Sequence, residues 1–409
     1  MIKPKVLIIA EKKDIWLREY VAQNYQWDLQ WYFVNYNKLG NKTAELKEII
    51  SKWKIDFVAY SRNDQIYKRI NIGNITAELE VGYTSFSGID NKYRMEQTLG
   101  CVCDFLKGQN ELDFHVQEKT VEKADHGHLG TFSIIFDTEQ ISCCKYALAR
   151  ILNLLNTYGV PATFFVTNLM NDVYSNLIEI IIGQGHEIGL HGHWHEYLSN
   201  HPKKDQVESI QGMIRNFNAD IHGANFIGRM DTNTISAMIA NKLNYFVYAS
   251  VNNYRLFAYR KQSNVPSLIH QPEGEIWAIP ISVETYGLPW ASVKRMVDST
   301  LAKGTKSHFH HITILCHPFR DGNFRNIHAT DKLFDYLLEK GLKPITIDQL
   351  THSLSHDPVN YFEPNNINEI FRTKKPNIPR MSTTQDFFGF VPENAILIFK
   401  IFRRGHSVF

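Results

Sequence analysis

Cysteine is scarce in this 409-residue chain: there are 5, at positions 101, 103, 143, 144 and 316, and no two form a Cys-x-x-Cys pair. An odd number in that pattern suggests neither a disulfide framework nor a thiolate zinc site, so the cysteines read as reduced thiols. Net charge is equally small. With 44 Lys+Arg against 42 Asp+Glu the formal charge is +2, which argues against a nucleic-acid partner or a charged membrane surface. Long apolar runs are missing too. Val6 to Ala10 runs into Glu11-Lys12-Lys13-Asp14, and Ala395 to Phe399 into Lys400, far short of the ~20 residues that span a bilayer. The first run is also too short and too soon charged for a signal peptide. A cytoplasmic protein with no membrane span is the resulting expectation. No glycine-rich phosphate loop follows the first run, so a dinucleotide role lacks support. Oligomeric state is not legible.

What is present is core material and histidine. Hydrophobic residues make up 44% and aromatics 12%, enough for packed cores in more than one domain at this length. Residues 5–10 form a β-branched run, 15–23 carry apolar residues at helical spacing, 29–36 read as strand, 44–53 as helix and 55–60 as strand. That alternation predicts a small α/β, flavodoxin-like domain over residues 1–115, although 64–114 shows no assignable pattern. Residues 116–130 lack apolar periodicity and read as a linker. From 131 to 353 strands and helices alternate: strands at 132–136, 162–166, 187–190, 225–228, 245–249, 276–281, 312–315 and 344–347, and helices at 145–157, 177–182, 205–217, 235–242 and 330–340. Seven or eight βα units in about 220 residues fit a distorted (β/α) barrel better than an open sheet. An Asn- and Pro-rich C-terminal extension fills 354–409.

In such a barrel the reacting groups sit at the C-terminal ends of strands, and four polar clusters fall there. Asp137-Thr138-Glu139 ends the first strand. Its two carboxylates, two residues apart, point to the same side of an extended chain, so one could ligate a metal while the other takes a proton; a helix N-cap with an acidic first turn is the plainer alternative. His191-Gly192-His193-Trp194-His195 follows the third strand. Two neutral imidazoles and a carboxylate make a catalytic zinc set that leaves a position for water, against the alternative of a solvated polar loop. His193 has no evident partner. His317, held extended by Pro318, could serve as general acid for a leaving amine or be a satisfied histidine under a loop. Arg229 could orient Asp137, or form an ordinary rim salt bridge.

These motifs, in this order, resemble the NodB-type polysaccharide deacetylases, the fourth carbohydrate esterase family, over residues 131–353. Ile134 to Glu139 resembles the first motif, Pro161 to Val166 the following strand, Gly185 to His195 the metal-histidine motif, Phe226 to Arg229 the arginine motif, Ala278 to Pro280 a later strand, and Ile314 to Pro318 the final histidine motif. The resemblance implies a distorted barrel of the deacetylase type. It also implies a divalent metal, zinc above all, on His191 and His195, with Asp137 as general base, His317 as general acid and Arg229 orienting the base. Two departures stand out. The family's Asp-Asp pair is here Asp137-Thr138, so the third ligand would be Glu139, as in a minority Asp-x-Asp arrangement. Met230-Asp231 replaces the usual prolines after the arginine.

The expected function is metal-dependent hydrolysis of an N-acetyl or N-formyl group on a carbohydrate or carbohydrate-linked substrate, in surface polysaccharide or cell-envelope glycan metabolism. A nucleotide- or lipid-linked sugar is favoured by the expected cytoplasmic location. The alternatives are a non-catalytic glycan-binding or scaffold barrel and an allantoinase-like amidase.

Overall fold

A computed structural model describes residues 3–10, 16–24, 29–60, 75, 79, 82–85, 92–114, 116, 130–227, 230–248, 265–285, 287–307, 311–324 and 326–356. The linker expectation at 116–130 and nearly all of the C-terminal extension lie outside these residues.

In the N-terminal domain, β1 (Lys5–Ala10), α1 (Trp16–Asn24), β2 (Gln30–Asn35), α2 (Lys42–Trp53), β3 (Phe57–Tyr60), β4 (Gly82–Ser85) and α3 (Lys92–Leu106) follow in order. The strands form a parallel sheet in the order β2-β1-β3-β4, which is flavodoxin-like. Buried β-branched and aromatic residues alternate between its faces. Leu7, Ile9, Val34 and Val58 join Leu46 and Ile50 of α2 on one side, while Ile8 and Ala59 meet Leu17, Val21 and Leu99 of α3 on the other. Both β4 and α3 lie in the stretch where no pattern was assignable.

The second domain contains β5 (Gly130–Thr138), α4 (Ile141–Tyr146), α5 (Leu148–Tyr158), β6 (Ala162–Val166), α6 (Asn168–Val173), α7 (Leu177–Gly183), β7 (Glu187–Leu190), α8 (Lys203–Asn216), β8 (Gly223–Ala224), α9 (Thr232–Ala240) and β9 (Tyr245–Tyr248). It continues with β10 (Ser267–Gln271), β11 (Gly274–Pro280), β12 (Val283–Glu284), α10 (Trp290–Ser307), β13 (His311–Cys316), α11 (Pro318–Asp321), α12 (Ile327–Glu339), β14 (Leu342–Pro344) and α13 (Ile347–His356). Strand order is β10-β11-β9-β8-β7-β6-β5-β13-β12, with β14 also on β5. The segment from β11 to β12 links the two ends. Ile281 N–H donates to Tyr248 of β9 and Ser282 N–H to Thr313 of β13, so adjacent residues bond opposite neighbours and curl the sheet into the distorted (β/α) barrel.

The period-2 pattern sorts the side chains. Ile134, Phe136, Phe164 and Ile314 face the helices, whereas Ile135, Phe165, Tyr245, Val247, Trp277, Ile279 and Leu315 fill the barrel together with Ile347, Leu350 and Leu354 of α13. Ile347 N–H donates to Thr163 Oγ1 at 3.0 Å and Asp348 N–H to Glu187 Oε2 at 3.1 Å, so α13 closes the end where the strands begin. The strand expected at 344–347 is in fact β14, which stops at Pro344, and Ile347 opens a helix. Thr346 and Gln349 cap it reciprocally, a signature readable as Thr-x-x-Gln. That helix runs on to His356. Strand 225–228 is likewise displaced to Gly223–Ala224.

Candidate metal centre

The interior phase of β5 runs Ile135, Asp137, Glu139, so both carboxylates reach the open end of the barrel on one side, as their spacing requires. Glu139 Oε2 lies 3.1 Å from His191 Nε2 and 2.8 Å from His195 Nε2. His191 follows β7 directly. Gly192 behind it has φ +93°, and a Cβ there would meet Glu196 Oε2 at 3.1 Å, so glycine suits the turn. The Glu196 carboxylate accepts from His193 N–H at 3.0 Å and Trp194 N–H at 2.7 Å. From α6, Asn168 N–H and Leu169 N–H donate to the Gly192 and His193 carbonyls, both at 3.0 Å. His195 then takes a left-handed φ of 69°, unusual for a side-chain-bearing residue. His193, whose partner was not evident, is 2.8 Å through Nδ1 from Asn168 Nδ2.

Asp137 Oδ2 is 3.8 Å from His191 Nε2 and also 3.8 Å from His317 Nε2. Five of the six expected residues, Asp137, Glu139, His191, His195 and His317, therefore converge. The sixth, Arg229, is outside the described residues; Asp231, two further on, caps α9 through the Thr234 N–H at 2.8 Å. Asn225 was not anticipated. Its Nδ2 donates to Asp137 Oδ1 at 2.7 Å, and its carbonyl accepts a short hydrogen bond from His191 Nδ1. No motif marks it, and it is found only once β8 is known to end at Ala224. Asp321, also unanticipated, accepts from His317 N–H at 2.7 Å and Thr285 Oγ1 at 2.6 Å, fixing the backbone of His317.

The electrostatics follow from burial and proximity. Burial is the strongest influence on Asp137 and lifts its pKa to about 6, despite the opposing His191 and the Asn225 hydrogen bond. For Glu139 burial also pushes upward, but His195 and His191 together outweigh it and hold the carboxyl well below its usual range. Burial opposes charge on His191, yet Asp137 and Glu139 prevail and raise it to about 9. For His317 burial, helped by Arg320, outweighs the opposing Glu139 and depresses it to about 3, so it is neutral.

A divalent cation fits this donor set. One oxygen or nitrogen from each of Glu139, His191 and His195 lies within 4.8 Å of the others, and Asp137, Glu139 and His317 form an overlapping group. The Asn225 carbonyl accepts from Nδ1 of His191, which would leave Nε2 available to coordinate an ion, the second contact typical of ligating imidazoles.

The histidine–carboxylate cluster at the strand ends of this distorted (β/α) barrel is a donor set that could hold a metal ion. Residues 128–225 match the family model described as polysaccharide deacetylase. That segment holds Asp137, Glu139, His191, His195 and Asn225 and stops before His317. A peptidoglycan deacetylase of Helicobacter pylori is 32% identical over 74 residues, which are 17% of this chain and 25% of that relative; the chain thus spans about a quarter of the curated relative's length. The solved structure of a candidate polysaccharide deacetylase from Mycobacterium smegmatis superposes with TM-score 0.50 at 14% identity, over 62% of this chain and 99% of the other. At that identity it speaks for a common fold. The family match is confined to residues 128–225, the first half of the barrel.

Proposed function

We propose that this site hydrolyses an N-acyl group, acetyl or formyl, from a carbohydrate amide, using a divalent ion, zinc in the first instance, held by Glu139, His191 and His195. The observation that carries the proposal is the convergence of both imidazole Nε2 atoms on Glu139 Oε2, with Asp137 and His317 beside them. When bound, such an ion supplies the Lewis acidity that makes water nucleophilic near neutral pH and polarises an acyl oxygen. Asp137, ionised above about pH 6 and anchored by Asn225, accepts the proton of the attacking water through Oδ2. His317 is neutral at rest, so the proton it gives to the departing amine must arrive during the cycle. Asp137 Oδ2, 3.8 Å from its Nε2, is the group within reach that has just acquired one. The new C–O bond and the broken C–N bond then leave a free carboxylate and a protonated amine.

The non-catalytic binder drew its support from the lost second Asp of the first motif and from the altered arginine loop, where Met230-Asp231 follow Arg229. Glu139, aimed at both histidines, supplies a third ligand and favours the enzyme. We place the substrate among N-acylated glycans or nucleotide- and lipid-linked sugars of envelope or surface-polysaccharide metabolism. A cytoplasmic site of action remains part of this proposal, motivated by a cysteine set whose number and spacing suggest no disulfide framework. Among the described residues no helix is long and apolar enough to cross a membrane. Incubating the zinc-loaded protein with N-acylated nucleotide sugars, glucosamine oligomers and peptidoglycan fragments should release acetate or formate from at least one. No release from any of them sinks the proposed activity.

A further inference from the structure

The N-terminal domain touches the loop that presents His195 and the helix that follows Glu139. On one side stands Trp194, immediately before His195. Its indole is partly buried and packs both on the helical shell of the barrel and on the core of the N-terminal domain that contains Leu7, Ile9, Val34, Tyr36 and Leu46. The backbone up to Trp194 is clamped by Glu196 and by α6, after which His195 adopts its left-handed φ of 69°. Such a conformation in a side-chain-bearing residue is strained and persists only where its surroundings impose it. His195 is also the most exposed of the three ligands, at 25% against 2% for His191 and 9% for Glu139.

On the other side stands α4, which begins two residues after Glu139. Helix α3, whose Leu99 is seated in the N-terminal domain's sheet, crosses to it. Thr98 Oγ1 donates to Ser142 Oγ at 3.0 Å in a buried contact, and Lys145 pairs with Asp104 at 2.6 Å. Beyond α3, Ser175 N–H donates to the Asn110 carbonyl at 3.0 Å and extends the seam.

We propose that the N-terminal domain is a built-in buttress of the metal centre. Trp194 is a positioning residue through which the docked domain holds His195 in its ligating conformation, while α3 braces the loop of Glu139. The inference rests on the reading of Glu139, His191 and His195 as metal ligands. By reciprocity, if docking of the domain favours metal binding, metal binding must favour docking.

The test uses the full chain and zinc alone. Zinc affinity, measured by competition with a chromophoric chelator, should fall by about tenfold or more in Trp194→Ala, the range found when groups that orient ligands are removed. It should stay within about threefold in Trp194→Phe, which keeps an aromatic ring in the seam. Hydrogen exchange on the wild type, independent of any variant's folding, should show slower exchange in β1 and β2 when zinc is added. Equal affinity in a folded Trp194→Ala, or exchange in β1 and β2 that ignores zinc, overturns the buttress and leaves the metal site standing. A wild type that binds no zinc overturns both.

Discussion

Replacing Asn225 with alanine deletes one hydrogen bond and spares another. The lost one runs from Asn225 Nδ2 to Asp137 Oδ1 at 2.7 Å, whereas the backbone carbonyl that receives His191 Nδ1 is unchanged. Asp137 is 6% exposed, so water replaces the lost donor poorly. A hydrogen bond to a charged group contributes about 1.5–3 kcal/mol, and 1.36 kcal/mol corresponds to one pH unit of titration midpoint. Because the bond favours the ionised form, its loss moves the midpoint upward, by about 1–2 pH units, from a starting value of about 6. Carbon-13 NMR of zinc-free protein with labelled aspartate carboxyls reads this directly and needs no substrate. With a substrate in hand, the acidic limb of kcat/KM should move the same way, since a protonated Asp137 accepts nothing. A midpoint that stays in place or falls would refute the assignment of Asn225 as the group that keeps Asp137 ionised.

Zinc binding at pH 7.5 should release about one proton per ion, because His191, raised to about 9 by its carboxylate neighbours, is protonated below that pH and must be neutral to ligate. Calorimetry in buffers of different ionisation enthalpy measures it, and an enthalpy that does not vary with buffer contradicts it. Turnover should decline as pH falls through the Asp137 range near 6, a limb absent if another residue is the base. Gly189→Ala should destabilise the barrel by about 1–3 kcal/mol, because a Cβ there would sit 2.5 Å from the Phe165 ring and 3.1 Å from the Gly223 carbonyl. Urea unfolding checks this, and an unmoved midpoint would show that Phe165 gives way freely.

Much of the barrel was legible because its strands are short β-branched runs with polar groups at their ends, and two residues of spacing sufficed to place Asp137 and Glu139 side by side. What escaped the sequence did so for identifiable reasons. Helix α3 reads Lys-Tyr-Arg-Met-Glu-Gln-Thr-Leu-Gly-Cys-Val-Cys-Asp-Phe-Leu, with a glycine and two cysteines in its path, and its buried face is shared between a sheet and another domain, which blurs any apolar stripe. Strand β8 has two residues, too few for a period, so the expected strand slid to 225–228 and hid Asn225 inside it. The strand expected at 344–347 divided because β14 is brief and a capping box begins at Thr346. The contact of Trp194 with the N-terminal domain joins residues far apart in the chain, and nothing local announces it.

The most direct measurement is the zinc content of the purified chain after loading and desalting, for the wild type and for Glu139→Ala, His191→Ala and His195→Ala. About one equivalent should stay with the wild type, as one three-ligand site requires, and each variant should lose it while remaining folded by circular dichroism. A wild type and a Glu139→Ala variant that are equally loaded, or equally empty, would contradict the metal centre assigned to these residues.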